Sequence, residues 1–151
     1  MIWLNPPPLK SDPPKKGKKL TPEQLAGDSE HSQQVALFAW AADNVGKYPA
    51  LQYMFAIPNG FFGSAEQKGK MKAEGLRTGV PDIFLPFAIN HAHGLFIEMK
   101  VEKYRNHKDG GCSDEQIDFI NYTTSTNYCC KVCYNWEEAR DTLIAYLEGK
   151  L

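Results

Sequence analysis

No stretch of this chain stays apolar for the ~20 residues that cross a bilayer. The first residues, MIWLNPPPLK, are broken by three prolines where a secretory leader needs a continuous apolar core. A cytoplasmic location is therefore the expectation, with no membrane partner. A large charge of either sign is also missing. The net charge is −1 over 151 residues, which argues against a general nucleic-acid coat protein but not against a local basic groove. Cysteine is scarce and poorly spaced for a metal. Cys129, Cys130 and Cys133 make half of a zinc pattern, but Cys112 stands seventeen residues upstream with no second C-x-x-C. Reduced cysteines packing as small hydrophobes in a strand are the better expectation, and disulfides are not expected in that compartment. There is no internal repeat. The composition that remains, 42% hydrophobic and 23% charged, suits one globular domain with a sizeable core.

The proline and charge that do occur are uneven. Residues 1–27 hold six of the ten prolines and five lysines, the composition of an extended, flexible basic arm. It reads equally as a solubilising tail or as an arm that touches a phosphate backbone. The folded domain is expected over residues 28–151. Asp28-Ser29 caps a helix from Glu30 to about Asn44, with Val35, Phe38, Ala42 and Val45 as its buried stripe and Gly46 at its end. Residues 52–57 read as a short strand stopped by Pro58-Asn59-Gly60. A short helix is expected over 64–74, strands over 80–86 and 94–101 joined by a hairpin loop over 88–93, then a basic loop over 102–112. Ser113-Asp-Glu-Gln116 fits a capping box that opens a helix to about Thr124. The last strand spans 128–134, and Asn135-Trp-Glu-Glu138 starts a closing helix with Ala139, Leu143 and Leu147 inward. The order α-β-β-β-α-β-α implies an α/β fold: a three-strand meander, a helical crossover and a fourth strand make a mixed four-stranded sheet flanked by helices.

Residues 81–100, PDIFLPFAINHAHGLFIEMK, carry the chemistry. Asp82 follows a proline. Glu98 and Lys100 sit two positions apart in an apolar strand, so they share a face while Met99 points the other way. An acid in such a strand is costly unless it is paired or binds a metal. Two carboxylates and a lysine are what a hard divalent cation and a nearby phosphate ester require. The competing readings are a turn contact for Asp82 and a surface salt bridge for Glu98 and Lys100.

At these residues the chain resembles the PD-(D/E)xK nuclease superfamily. The phrases GVPDIFLP and GLFIEMK, the Ser-x-x-Gln helix start, WEEA, and upstream SEHSQQVALFAWA and AIPNG resemble its VRR-NUC branch over about residues 29–147. The resemblance implies a restriction-endonuclease-like α-β-β-β-α-β core and a metal-dependent DNA endonuclease. It makes Asp82 and Glu98 the carboxylates for Mg²⁺ or Mn²⁺, and Lys100 the motif lysine. Gln116 matches the glutamine of the following helix and Glu30 the acid of the first. The Met99 carbonyl is a further expected ligand, since hard cations accept carbonyl oxygens. Gln116 and Glu30 also have plain readings, as a cap and as a first-turn acid facing the helix dipole.

The chain resembles small standalone phage members more than the larger members with extra domains, and that resemblance implies a homodimer acting on branched DNA such as four-way junctions. Symmetric cutting of a junction needs two sites, which a C₂ dimer supplies. A flap- or restriction-type nuclease working with a partner, or a DNA-binding module without catalysis, stays open. Lys68, Lys70, Lys72 and Arg77, with Lys103, Arg105 and Lys108, are the candidate contacts to DNA backbone, with solvated surface charge as the alternative. His91, His93 and His107 are expected in polar loops, solvated rather than catalytic. The pairs Phe61-Phe62 and Tyr53/Phe55 are expected in the core rather than as base-stacking platforms.

Overall fold

A computed structural model of the chain describes residues 19–59 and 63–151. Residues 1–18 of the basic arm, and Gly60, Phe61 and Phe62, lie outside the described residues. Short polar caps set most helix starts. Thr21 opens α1 (Pro22–Leu25), Ser29 opens α2 (Glu30–Asn44) and Ser64 opens α3 (Ala65–Ala73), each with a reciprocal capping box. Ser113 opens α4 (Asp114–Ser125) in the same way, and Asn135 caps α5 (Trp136–Leu147) by accepting from Glu138 N–H. The strands are β1 (Phe55–Ala56), β2 (Ile83–Leu85), β3 (Leu95–Met99) and β4 (Cys129–Cys133).

The sheet order is β1-β2-β3-β4, antiparallel through the first three strands and parallel between β3 and β4. This is the meander and crossover that the element order requires. α2 and α5 pack on each other and on β3, and between them and the sheet lies the core. Ile83, Leu85, Leu95, Ile97 and Met99 face it, each at most 1% exposed. Full burial of such side chains stabilises by roughly 1.5–3 kcal/mol each. α4 lies on the other face, against β4.

Several expectations shift. The strand expected over 52–57 is mostly a 3₁₀ turn, Pro49–Tyr53, and only Phe55 and Ala56 pair with β2; Pro49 opens the turn and favours it. The buried face of α2 is Ala36, Leu37 and Ala41, whereas Val35 is 38% exposed and Ala42 is exposed. Period alone located an apolar stripe without saying which side meets the sheet, and Leu37 with two small alanines lets the helix approach more closely. On α5 the buried set is Trp136, Ala139, Leu143 and Tyr146, with Leu147 partly buried. Phe55, expected in the core, is 48% exposed on its edge strand. Of the arm, residues 19–27 include α1, which packs on α2, with Leu25 and Ala26 against the core; the folded domain includes them as well.

Candidate active site

The register of β2 on β3 pairs Ile83 with Ile97. One step further, this places Asp82 opposite Glu98, with both side chains on the α4 face of the sheet. Asp82 Oδ2 accepts a hydrogen bond from Met99 N–H at 2.8 Å, and its carbonyl accepts from Ile57 N–H at 2.7 Å. Pro81 is buried, so Asp82 enters the strand along a fixed path. Lys100 continues β3 by one residue, donating its N–H to the Cys133 carbonyl at 2.8 Å. Glu98 and Lys100 are therefore held on one face, as their spacing requires, and both are buried, at 1% and 8% exposure.

Glu98 is the centre of the arrangement. Its Oε1 lies 2.8 Å from Lys100 Nζ and accepts from Gln116 Nε2 at 2.5 Å. Its Oε2 is buried with no hydrogen-bond partner. Burial, first, and then the negative charge of Asp82 push the Glu98 carboxyl up to about 7, against the pull of Lys100; Glu30 adds to the upward push. Lys100 moves upward too: burial lowers it, but Glu98 and then Glu30 outweigh that. The two directions belong to one cluster in which three carboxylates share one ammonium, so Lys100 stays a cation and the deficit of positive charge falls on Glu98.

Gln116 bonds in two directions. Its Oε1 accepts Ser113 N–H at 2.9 Å, closing the capping box, while its Nε2 reaches Glu98. Glu30, in the first turn of α2, is half-buried, and its charge reaches both Glu98 and Lys100. Two residues at the site carried no such expectation. Cys112, just before the capping Ser113, has its thiol pushed up by burial and then by the charge of Glu98, and Lys100 and Asp82 act on it as well. Asn59 donates to the Val80 carbonyl, tying the turn after β1 to the segment that leads into Asp82. Its place in Pro58-Asn59-Gly60 is a signal for a turn, and the turn is what brings it to Val80. Gly79 (φ +86°) completes the frame, because a Cβ there would overlap the Glu115 backbone at the start of α4.

The basic residues divide. Lys68, Lys70 and Lys72 are exposed on α3, which packs against no other described element, and Lys70 pairs with Glu66. Arg77, Lys103 and Lys108 are exposed. Lys103 borders a cavity of about 520 Å³ beside Val101. Arg105 bonds both Glu102 and Glu138 and lies over the Tyr134 ring at 4.5 Å, so its charge is already matched. His91, His93 and His107 are exposed. The four cysteines are free thiols. A cavity of about 730 Å³, lined by Ile89, Asn127, Tyr146 and Leu151 among others, contains none of the site residues.

A solved structure described as a VRR_NUC domain protein superposes with a TM-score of 0.66 at 22% identity, covering 82% of this chain and 92% of that one. The fold is that of a VRR-NUC domain. No protein-family model matches the sequence, and no curated protein does.

Within this VRR-NUC fold, the donor set can be weighed against a divalent metal. Among the described residues no three His, Cys, Asp or Glu side chains converge into a complete cage. Mg²⁺ needs none, because it is held by one or two carboxylates and completes its shell with water and phosphate oxygens. A buried, unpartnered carboxylate oxygen on Glu98, with Asp82 across the strand pair, fits that demand. Among the described residues no helix is long and apolar enough to cross a membrane.

Proposed function

We propose that the chain is a metal-dependent endonuclease of the VRR-NUC type, in the PD-(D/E)xK superfamily, hydrolysing phosphodiester bonds in DNA. The observation that carries this reading is Glu98 Oε2, a buried acceptor with no partner beside a second carboxylate and a buried ammonium. Such an oxygen is costly unless something positive completes it. Asp82, Glu98 and the Met99 carbonyl would hold Mg²⁺ or Mn²⁺, with Glu30 as an added ligand. When bound, the ion lowers the pKa of a coordinated water and offsets charge on the phosphate.

The chain's own groups do the rest. Lys100 Nζ, fixed by Glu98, orients the attacking water or neutralises the developing oxyanion. Gln116 holds Glu98 in one rotamer, so the carboxylate is set before substrate arrives. Lys68, Lys70, Lys72, Arg77, Lys103 and Lys108 contact the DNA backbone, which makes binding salt-dependent. Arg105, already matched by two carboxylates, contributes least. The favoured substrate is branched DNA such as a four-way junction, cut by a homodimer with one site on each arm.

The test is cleavage of labelled four-way junction, flap, linear duplex and single-stranded DNA with Mg²⁺ or Mn²⁺, wild type beside Lys100→Ala. Paired symmetric nicks in the junction, absent in the variant, support the reading in full. Cutting of every substrate keeps the nuclease and removes branch specificity. No cutting with either metal, together with calorimetric Mn²⁺ binding that is unchanged in Asp82→Ala, sinks it.

A further inference from the structure

The strands that carry the carboxylates also carry an aromatic row on the same face. Phe84 is two residues beyond Asp82 on β2, and Phe96 two residues before Glu98 on β3, so each ring sits about 7 Å along its strand from a carboxylate. Phe84 and Phe96 stack with centroids 4.4 Å apart. Phe55, paired with Phe84 across β1 and β2, meets it edge-on at 5.8 Å. At the other end Phe119 of α4 closes edge-on against Phe96 at 5.5 Å.

The helical cover stops there, because β4 is the strand against which α4 packs. Phe55 is left 48% exposed on a two-residue edge strand, yet braced from behind by Phe84. Room for that brace depends on Gly94, where a Cβ would come within 2.7 Å of the Phe84 ring. The row contains no charged side chain, so it offers a phosphate nothing.

We propose that Phe55, braced by Phe84, is a stacking platform for an unpaired base of the DNA strand whose phosphate lies at Asp82 and Glu98. The inference rests on the nuclease reading above and names the form of DNA that this site takes. With a phosphate at the carboxylates, the next one or two nucleotides come within reach of the ring, since a stacked step spans about 3.4 Å. In continuous duplex both faces of a base are covered by its neighbours. Only a splayed or single-stranded base has a face free for the ring. Stacking is indifferent to base identity, so the platform selects for branch points and flaps without selecting sequence.

The full chain is tested as wild type, Phe55→Ala and Phe55→Tyr. The probe is a short oligonucleotide containing 2-aminopurine, single-stranded or in continuous duplex, with Ca²⁺ in place of Mg²⁺ so that a hard cation can join phosphate to carboxylates, and a gel run beside it to show that the probe stays uncut. Wild type and Phe55→Tyr are expected to bind the single strand and change its fluorescence. Phe55→Ala should bind it roughly tenfold more weakly or worse and lose the signal, with duplex binding and melting temperature alike in all three. With Mg²⁺, the preference for branched over continuous DNA should fall by a similar factor in Phe55→Ala. Single-strand binding and branch preference unchanged in Phe55→Ala overturn the proposal. So does a Phe55→Ala protein whose sedimenting mass halves while its fluorescence response persists, because the patch is then a contact between two copies of the chain. Wild type that cuts no DNA but keeps the Phe55-dependent signal removes the nuclease reading and leaves the platform standing.

Discussion

The two faces of β3 are built from alternate residues of one five-residue strand, and they differ in every respect that matters. Leu95, Ile97 and Met99 are sealed against α2 and α5, where only shape and apolar area count. Phe96 and Glu98, followed by Lys100, face α4, whose cover is partial, and here a buried acid keeps an oxygen without a partner. Stability and chemistry are therefore interleaved with a period of two, and a one-residue slip in register would exchange them. The core face holds the strand rigid; the other face uses that rigidity to keep Glu98 in place, with Asp82 and Lys100 at the strand ends beside it.

The separation can be broken from either side. The largest effect is expected for Lys100→Ala, with single-turnover cleavage falling by roughly 100- to 1,000-fold while circular dichroism shows the fold retained. Equal rates in variant and wild type would remove Lys100 from the chemistry. Next comes Ile97→Ala on the sealed face, which should cost about 3 kcal/mol in urea unfolding and leave cleavage per folded molecule unchanged. A parallel loss of activity per folded molecule would show that the faces are not separable.

Glu98→Gln sharpens the comparison through pH. The folded-state pKa of Glu98 is raised from 4.5 to about 7, so the folded chain holds this proton to higher pH than the unfolded chain. The stabilising contribution is fully present below about pH 4.5 and is lost as pH rises through about 7. Metal-free wild type, compared with Glu98→Gln, should therefore lose stability between pH 5 and 8, by up to about 3 kcal/mol at about 1.4 kcal/mol per pKa unit. Added Mg²⁺ at pH 8 should restore part of it in wild type alone. A flat difference across that range would mean that Glu98 ionises normally.

The smallest effect separates the two duties of Gln116. Gln116→Glu keeps an acceptor for the Ser113 N–H but removes the donor to Glu98, whereas Ser113→Ala removes the cap and keeps that donor. Ser113→Ala should cost about 1 kcal/mol; Gln116→Glu should cost somewhat more, because it sets a further carboxylate against Glu98, and only Gln116→Glu should slow cleavage. Equal slowing in both would assign Gln116 to the helix cap alone.

Much of this was legible before any coordinates. Local chemistry specified the caps at Ser29, Ser113 and Asn135, because a short polar side chain before a periodic segment has few other places to bond. Strand alternation put Glu98 and Lys100 on one face. What failed were statements about cover. Period could not tell that Ala36, Leu37 and Ala41 face the sheet rather than Val35 and Ala42, since both sets recur at helical spacing. Aromaticity could not tell that Phe55 is half in water, since that depends on where α4 stops.

By itself the sequence determined the element order, the capped helix starts, and the pairing of an acid and a lysine on one side of a strand, because these follow from interactions within a few residues. The tertiary structure alone decided that Asp82 lies opposite Glu98, that Gln116 reaches across from its cap, and that Glu30 approaches the same cluster. It alone decided that one oxygen of Glu98 is buried with nothing to bond it. These contacts join residues 16 or more positions apart, and only the packing of sheet and helices brings such residues within hydrogen-bond and Coulomb range.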